Sequence, residues 1–186
     1  MCWSANGSLG AYSLAMALAA LSKYQGIIDP KLWVFMVVFT QMQLVEYFLW
    51  KNLSVPSLNA MWSAIGLALI LAEPAASLNM LRDKRFLALY TAGAIAYLLM
   101  GRFDFRTTIG ANGHLKWNWL FSSWSFEIIL WTTALLAPLY LTGHQGAALF
   151  GLVTFMISMY FNSKYGTAGS YWCWLALGAW LIVLIR

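Results

Sequence analysis

Charge is what this 186-residue chain has least of: Asp, Glu, Lys and Arg together make up 9% of it, against about 25% in soluble domains. A water-soluble domain needs a charged shell, so this scarcity excludes one. The 62% of apolar residues and a mean hydropathy of +0.70 replace it, and we expect an integral membrane protein. Ser/Gly-rich and Pro-rich linkers are missing, which predicts one domain over 1–186. No basic residue precedes the first apolar run, so that run reads as a retained helix rather than a removable signal peptide. The net charge of +5 is scattered over short loops with no polybasic block, which argues against nucleic acid and for topology and headgroup contacts. Nothing in the sequence requires a cofactor.

The fold class expected is all-α: a polytopic membrane bundle of seven transmembrane helices, with six as the alternative count because the first and fourth are short. Seven apolar segments approach the ~20 residues that cross ~30 Å of hydrocarbon. They run Ser8 to Leu21, Leu32 to Trp50, Leu58 to Met80, Phe86 to Gly101, Leu120 to Leu141, Gln145 to Asn162 and Ala168 to Ile185. Turn chemistry separates them, as at Asp29-Pro30, Val55-Pro56, Arg82-Asp83-Lys84-Arg85 and Thr142-Gly143-His144. Small residues recur every fourth position as Ala11, Ala15 and Ala19 in the first helix and Ala88, Ala92 and Ala96 in the fourth. Such stripes let backbones approach in lipid and predict that both helices are central. Pro74 and Pro138 each remove a backbone donor, freeing the carbonyls of Ile70 and Ala134.

Let side A be the face that holds the N-terminus. Seven spans place Lys51, Arg102, Arg106, Lys116 and Lys164 there, and Lys23, Lys31, Arg82, Lys84, Arg85 and Arg186 on side B. The positive-inside rule then leans weakly toward an N-out chain with a cytoplasmic C-terminus, in a cell or host membrane. The long fourth connection, also on side A, alternates: Phe103, Phe105 and Ile109 against Asp104, Arg106 and Thr108, then Leu115, Trp117 and Trp119 against His114, Lys116 and Asn118. With Gly110-Ala111-Asn112-Gly113 between, that is the pattern of a small β-hairpin. It is expected to lie over side A as a lid carrying His114 and Trp117, or as an aromatic anchor at the headgroups.

Against this apolar background all three glutamates, Glu46, Glu73 and Glu127, fall inside the predicted spans. A carboxylate at membrane depth costs at least ~2.5 kcal/mol, so it marks a functional site by default. Topology brings Gln43 and Glu46 on the second helix, Ser123 and Glu127 on the fifth, and Arg102 to similar depth near side A. Those five form the expected substrate or ion site; the alternative is a structural network in which arginine, glutamine and serine neutralise the acids. Glu73 stands apart beside Pro74, as a gate or kink residue that pairs with Arg82 or Lys84 or bonds groups freed by the proline. Cys2 and Cys173, both near side A, are read as packing thiols, a disulfide, or metal or reactive chemistry, with thiolate ligation beside His114 a weak signal; no metal site is assigned. Aromatic residues, 17% of the chain, suit packing and interfacial anchoring, or a wall for a cationic ligand.

The last apolar segment has no lysine, which excludes a retinal Schiff base, and two histidines in loops are too few for the membrane zinc hydrolases. Met1-Cys2-Trp3-Ser4, the stretch Gln43-Leu44-Val45-Glu46 with Trp50, and Gly113-His114-Leu115-Lys116-Trp117 resemble a group of uncharacterised small multi-span membrane proteins of bacteria and large viruses that begin Met-Cys-Trp-Ser. The resemblance implies a multi-helix membrane fold and no activity. The function expected is a transporter or channel-like protein for a small solute, cation or proton, with the lipid bilayer as partner and a homo-oligomer left open. The alternatives are an intramembrane enzyme acting on a lipid or quinone, and a structural or accessory subunit.

Overall fold

The computed structural model describes residues 4–120 and 125–184, without the side chains of Trp174 and Ala176. The described chain is mostly helical, with eight α-helices and one small sheet. In order these are α1 (Ala5–Tyr24), α2 (Pro30–Lys51), α3 (Pro56–Leu78), α4 (Arg85–Met100), β1 (Thr107–Ile109), β2 (Leu115–Trp117), α5 (Phe126–Leu141), α6 (Gln145–Asn162), α7 (Ala168–Ala176) and α8 (Ala179–Leu184). A 3₁₀ turn, Ser163–Tyr165, extends α6. Three helices are long and apolar enough to cross a membrane: α2, α3, and α6 with its extension. Both α4 and α5 are apolar but shorter, at 16 residues each.

Local chemistry sets the helix ends. The Asp29 carboxylate accepts from the N–H groups of Lys31 (2.9 Å) and Leu32 (3.1 Å), and Pro30 occupies the first turn, where a missing N–H costs nothing. Helices α1 and α5 stop at Gly26 (φ +65°) and Gly143 (φ +90°). There Ile27 N–H reaches Ser22 O and His144 N–H reaches Leu139 O, closing each helix with a Schellman turn.

Helices α2, α3, α5, α6 and α7 pack around one another, with α1 laid along α2. Ala15 and Ala19 are buried in that α1 seam, where the Trp33 indole donates to the Ala19 carbonyl at 2.9 Å. The matching stripe on α4 does not behave as expected. That helix packs on α3 and buries no residue, and Ala88 and Ala92 are exposed, so α4 is peripheral. Small residues permit close approach but do not select which side faces a neighbour. The last apolar segment also departs from a single span: it breaks at Leu177-Gly178 into α7 and α8. A Cβ on Gly178 would stand 2.7 Å from the Phe150 ring, so the glycine admits α6 at the break.

The hairpin is present, antiparallel, with Thr107 opposite Trp117 and Ile109 opposite Leu115. Ile109, on the face that the alternation turns inward, is exposed, whereas Thr107 on that same face is buried although polar. The cause is hydrogen bonding. Asn59 of α3 accepts from the Thr107 N–H (2.8 Å) and donates to its carbonyl (2.9 Å), like a third strand one residue long. The Thr107 hydroxyl lies 2.9 Å from Ser63 Oγ and accepts from the Trp119 indole at 3.0 Å. At the turn, Asn112 donates to Asn162 and Thr167. Trp117 and Trp119 stack at 5.1 Å between α7 and α3, each seated on a glycine: a Cβ on Gly169 would meet Trp117 at 2.6 Å, and one on Gly66 would meet Trp119 at 2.9 Å. The hairpin is therefore a wedge bonded into the bundle, not a flap above it. His114 is buried within it, edge-on to Tyr171 at 5.3 Å.

Candidate functional site

Gln43, Glu46 and Trp50 recur at spacings of three and four on α2, which places them on one face. Gln43 and Glu46 are completely buried there, Trp50 is half-buried, and neither Gln43 nor Glu46 is left without a partner. Their expected companions are elsewhere. Glu127 sits exposed in the first turn of α5, just past its N-cap Ser125, where the helix dipole favours an acid. Arg102 is exposed as well, and Ser123 lies outside the described residues, as does Cys2. The paired-carboxylate site expected from Glu46 and Glu127 is thus not formed, because one acid is inside and the other faces outward. The apolar run begins at Leu120, but the helix begins at Phe126, so Glu127 falls in its first turn and not in its interior.

Glu73 is the acid that the fold isolates. It is completely buried in α3, and neither carboxylate oxygen meets a hydrogen-bond donor among the described residues. The expected cations do not reach it. Lys84 donates to the carbonyl (2.6 Å) and side chain (2.8 Å) of Asn79. Ion pairs among the described residues join Arg85 to Asp83 and Arg106 to Asp104, both at the surface. The Arg85 guanidinium holds the Asp83 carboxyl below its usual range.

Around Glu73, donors do arrive, but they go to backbone carbonyls. Pro74 removes the N–H that would bind the Ile70 carbonyl, and the Trp131 indole of α5 takes that oxygen at 2.7 Å. Tyr90 of α4 donates to the Leu71 carbonyl at 3.0 Å, and Ser77 donates to the Leu135 carbonyl at 2.6 Å. Ile70, Glu73 and Ser77 lie on one face of α3 at helical spacing, so the acid looks toward α5. Tyr90 is within Coulombic reach of it.

One turn from Glu73 is a cavity of about 30 Å³ between α3, α5, α6, α7 and the hairpin, lined by Ile70, Trp117, Ile128, Trp131, Phe155, Trp172 and Cys173 among others. Trp172 organises its wall, edge-on to Trp131, Phe155 and Phe39, while its indole donates to the Gly151 carbonyl at 3.1 Å. A second cavity, about 90 Å³, lies near Asp29 and His144 at the other end. Among the described residues no three His, Cys, Asp or Glu gather where they would hold a metal ion.

The polar contacts that sequence reasoning missed, Asn59 with Thr107 and Asn112 with Asn162 and Thr167, join residues some fifty positions apart. Nothing in local spacing signals them. What the fold defines is a mostly helical bundle with a small bonded hairpin and three helices long and apolar enough to cross a membrane. No family model, curated protein or solved structure matches the chain.

Proposed function

We propose that the chain is a small multi-pass integral membrane protein that carries a small solute, cation or proton across the bilayer, using glutamates at membrane depth. The observation that carries this reading is Glu73, buried without a donor on either oxygen among the described residues. An ionised carboxylate in that position costs several kcal/mol, whereas an interhelical hydrogen bond in lipid contributes only about 0.6 kcal/mol. Bracing helices does not explain keeping such a group. Exposed Leu89, Leu99, Phe126, Leu141 and Tyr160 supply the apolar exterior that lipid requires.

The two buried acids occupy different depths. Glu46 is near the hairpin end of α2 and Glu73 is near the opposite end of α3, which separates them by roughly 18 Å along the bundle at 1.5 Å per residue. One acid near each face suits a carrier loaded on one side and emptied on the other. The N-out orientation and the kinship with proteins that begin Met-Cys-Trp-Ser belong to the same proposal. A second reading, an intramembrane enzyme acting on a lipid or quinone, draws on Cys173 in the wall of the aromatic cavity.

The test is flux of protons and small cations in liposomes holding the purified protein. Glu73→Gln and Glu46→Gln are expected to lower flux by about tenfold or more, because each removes a charge site at depth, while Glu127→Gln leaves it unchanged. Equal flux in all three variants and the parent would reject transport through these acids.

A further inference from the structure

We infer that what Glu73 takes is a proton, and not a metal ion or an organic cation. The inference rests on the transport reading and narrows its substrate class.

Coordination decides first. Hard metal cations need about six or more oxygen ligands, and in membrane sites the extra oxygens come from unpaired backbone carbonyls. A proline in a helix is the usual source of such a carbonyl. Here the Ile70 oxygen faces the Trp131 indole at 2.7 Å, the Leu71 oxygen faces the Tyr90 hydroxyl at 3.0 Å, and the Leu135 oxygen faces the Ser77 hydroxyl at 2.6 Å. The partial positive charge on each donor hydrogen opposes a cation at the same oxygen. Two carboxylate oxygens remain, and among the described residues no three His, Cys, Asp or Glu gather to complete a metal set.

Space decides next. Neither cavity described above is lined by Glu73, and the nearer one, at about 30 Å³, is walled by apolar and aromatic side chains. That volume holds about one water, far less than an organic ammonium needs. A proton needs no cavity and only one of the two oxygens. It also turns the acid into a neutral donor, which removes the cost of burying the charge.

The experiment uses the full chain in lipid nanodiscs and dicyclohexylcarbodiimide as probe. A protonated carboxyl transfers its proton to a carbodiimide nitrogen while its oxygen bonds the central carbon. The O-acylisourea then rearranges to a stable N-acylurea, read as the mass of one carbodiimide on the peptide that contains Glu73. We expect Glu73 to be labelled in the parent chain, and the rate to stay within about twofold when Na⁺, K⁺, Mg²⁺ or tetramethylammonium is added, since a bound cation would slow it by 1 + [L]/Kd, about a hundredfold at 100 Kd. Protection by any of those cations, or no labelling of Glu73, overturns the inference. Cation-independent labelling combined with flux that ignores Glu73→Gln would leave the proton site standing and remove the transport reading; flux that needs both Glu73 and a metal ion would do the reverse.

Discussion

At the hairpin end of the bundle, Asn59 meets both backbone groups of Thr107, the Thr107 hydroxyl meets Ser63 and Trp119, and Asn112 meets Asn162 and Thr167. At the proline turn of α3, Trp131, Tyr90 and Ser77 all donate to carbonyls, and the acid there, Glu73, receives nothing from them. Buried polar groups are normally satisfied; the Asn59 and Asn112 contacts follow that rule, although the buried Trp117 indole of the hairpin meets no acceptor among the described residues, and the proline turn breaks it at its acid. Its donors are present and directed elsewhere. The contrast separates polar groups that hold the fold from a polar group that the fold tolerates, and it ranks the acids differently from their positions in the sequence.

The largest effect expected from this contrast is at the satisfied end. Asn59→Leu would strand the N–H and C=O of Thr107 in the core at about 1–3 kcal/mol each, so a loss of about 2–6 kcal/mol should appear as a lower unfolding midpoint in detergent. A loss below about 0.5 kcal/mol would mean that the clamp is incidental. The opposite sign is expected at the proline turn. Glu73→Leu replaces an uncompensated acid with an apolar side chain and should raise stability by about 1 kcal/mol or more, whereas Glu46→Leu, which removes an engaged group, should lower it. If Glu73→Leu destabilises as Glu46→Leu does, the distinction between the two regions fails.

The smallest effect concerns acid. Burial lowers the pKa of His114 within the hairpin, so the folded state binds its proton less well than the unfolded chain. The stabilisation from neutral His114 is therefore complete above the unfolded value of about 6.5 and is lost as pH falls through the lower folded value. Unfolding midpoints measured from neutral to acidic pH should fall in the parent chain and flatten in His114→Gln. Parallel slopes would show that the hairpin end does not sense this histidine.

Much of the fold was legible in the sequence because apolar length and turn chemistry are local. Gln145 to Asn162 matches α6 at both ends, Asp29-Pro30 starts α2 with a side-chain cap and a first-turn proline, and Val55-Pro56 starts α3 with the proline alone. The hairpin was legible from its period-2 pattern, but the burial of the polar Thr107 was not, because the partner that satisfies it is on α3. Less was legible at the site. A hydropathy window places Glu127 within a span, but only the cap at Ser125 reveals that the helix starts at Phe126, one residue before it. The isolation of Glu73 depends on where Lys84, Tyr90 and Trp131 direct their hydrogens, which spacing along the chain does not encode.

The Asn59 clamp also imposes a parity rule. The residues it joins, 59 and 107, must lie on the same side of any bilayer, so the chain between them crosses an even number of times. If α3 crosses, α4 must return, short as it is; the bond from Asn112 to Asn162 sets the same rule for α5 and α6. Loop charges, five against six, barely distinguish one insertion from its inverse or from one with a skipped segment. Two hydrogen-bonded closures reject every odd count of crossings between their ends, so a chain nearly blind to orientation by charge still carries a check on its own threading.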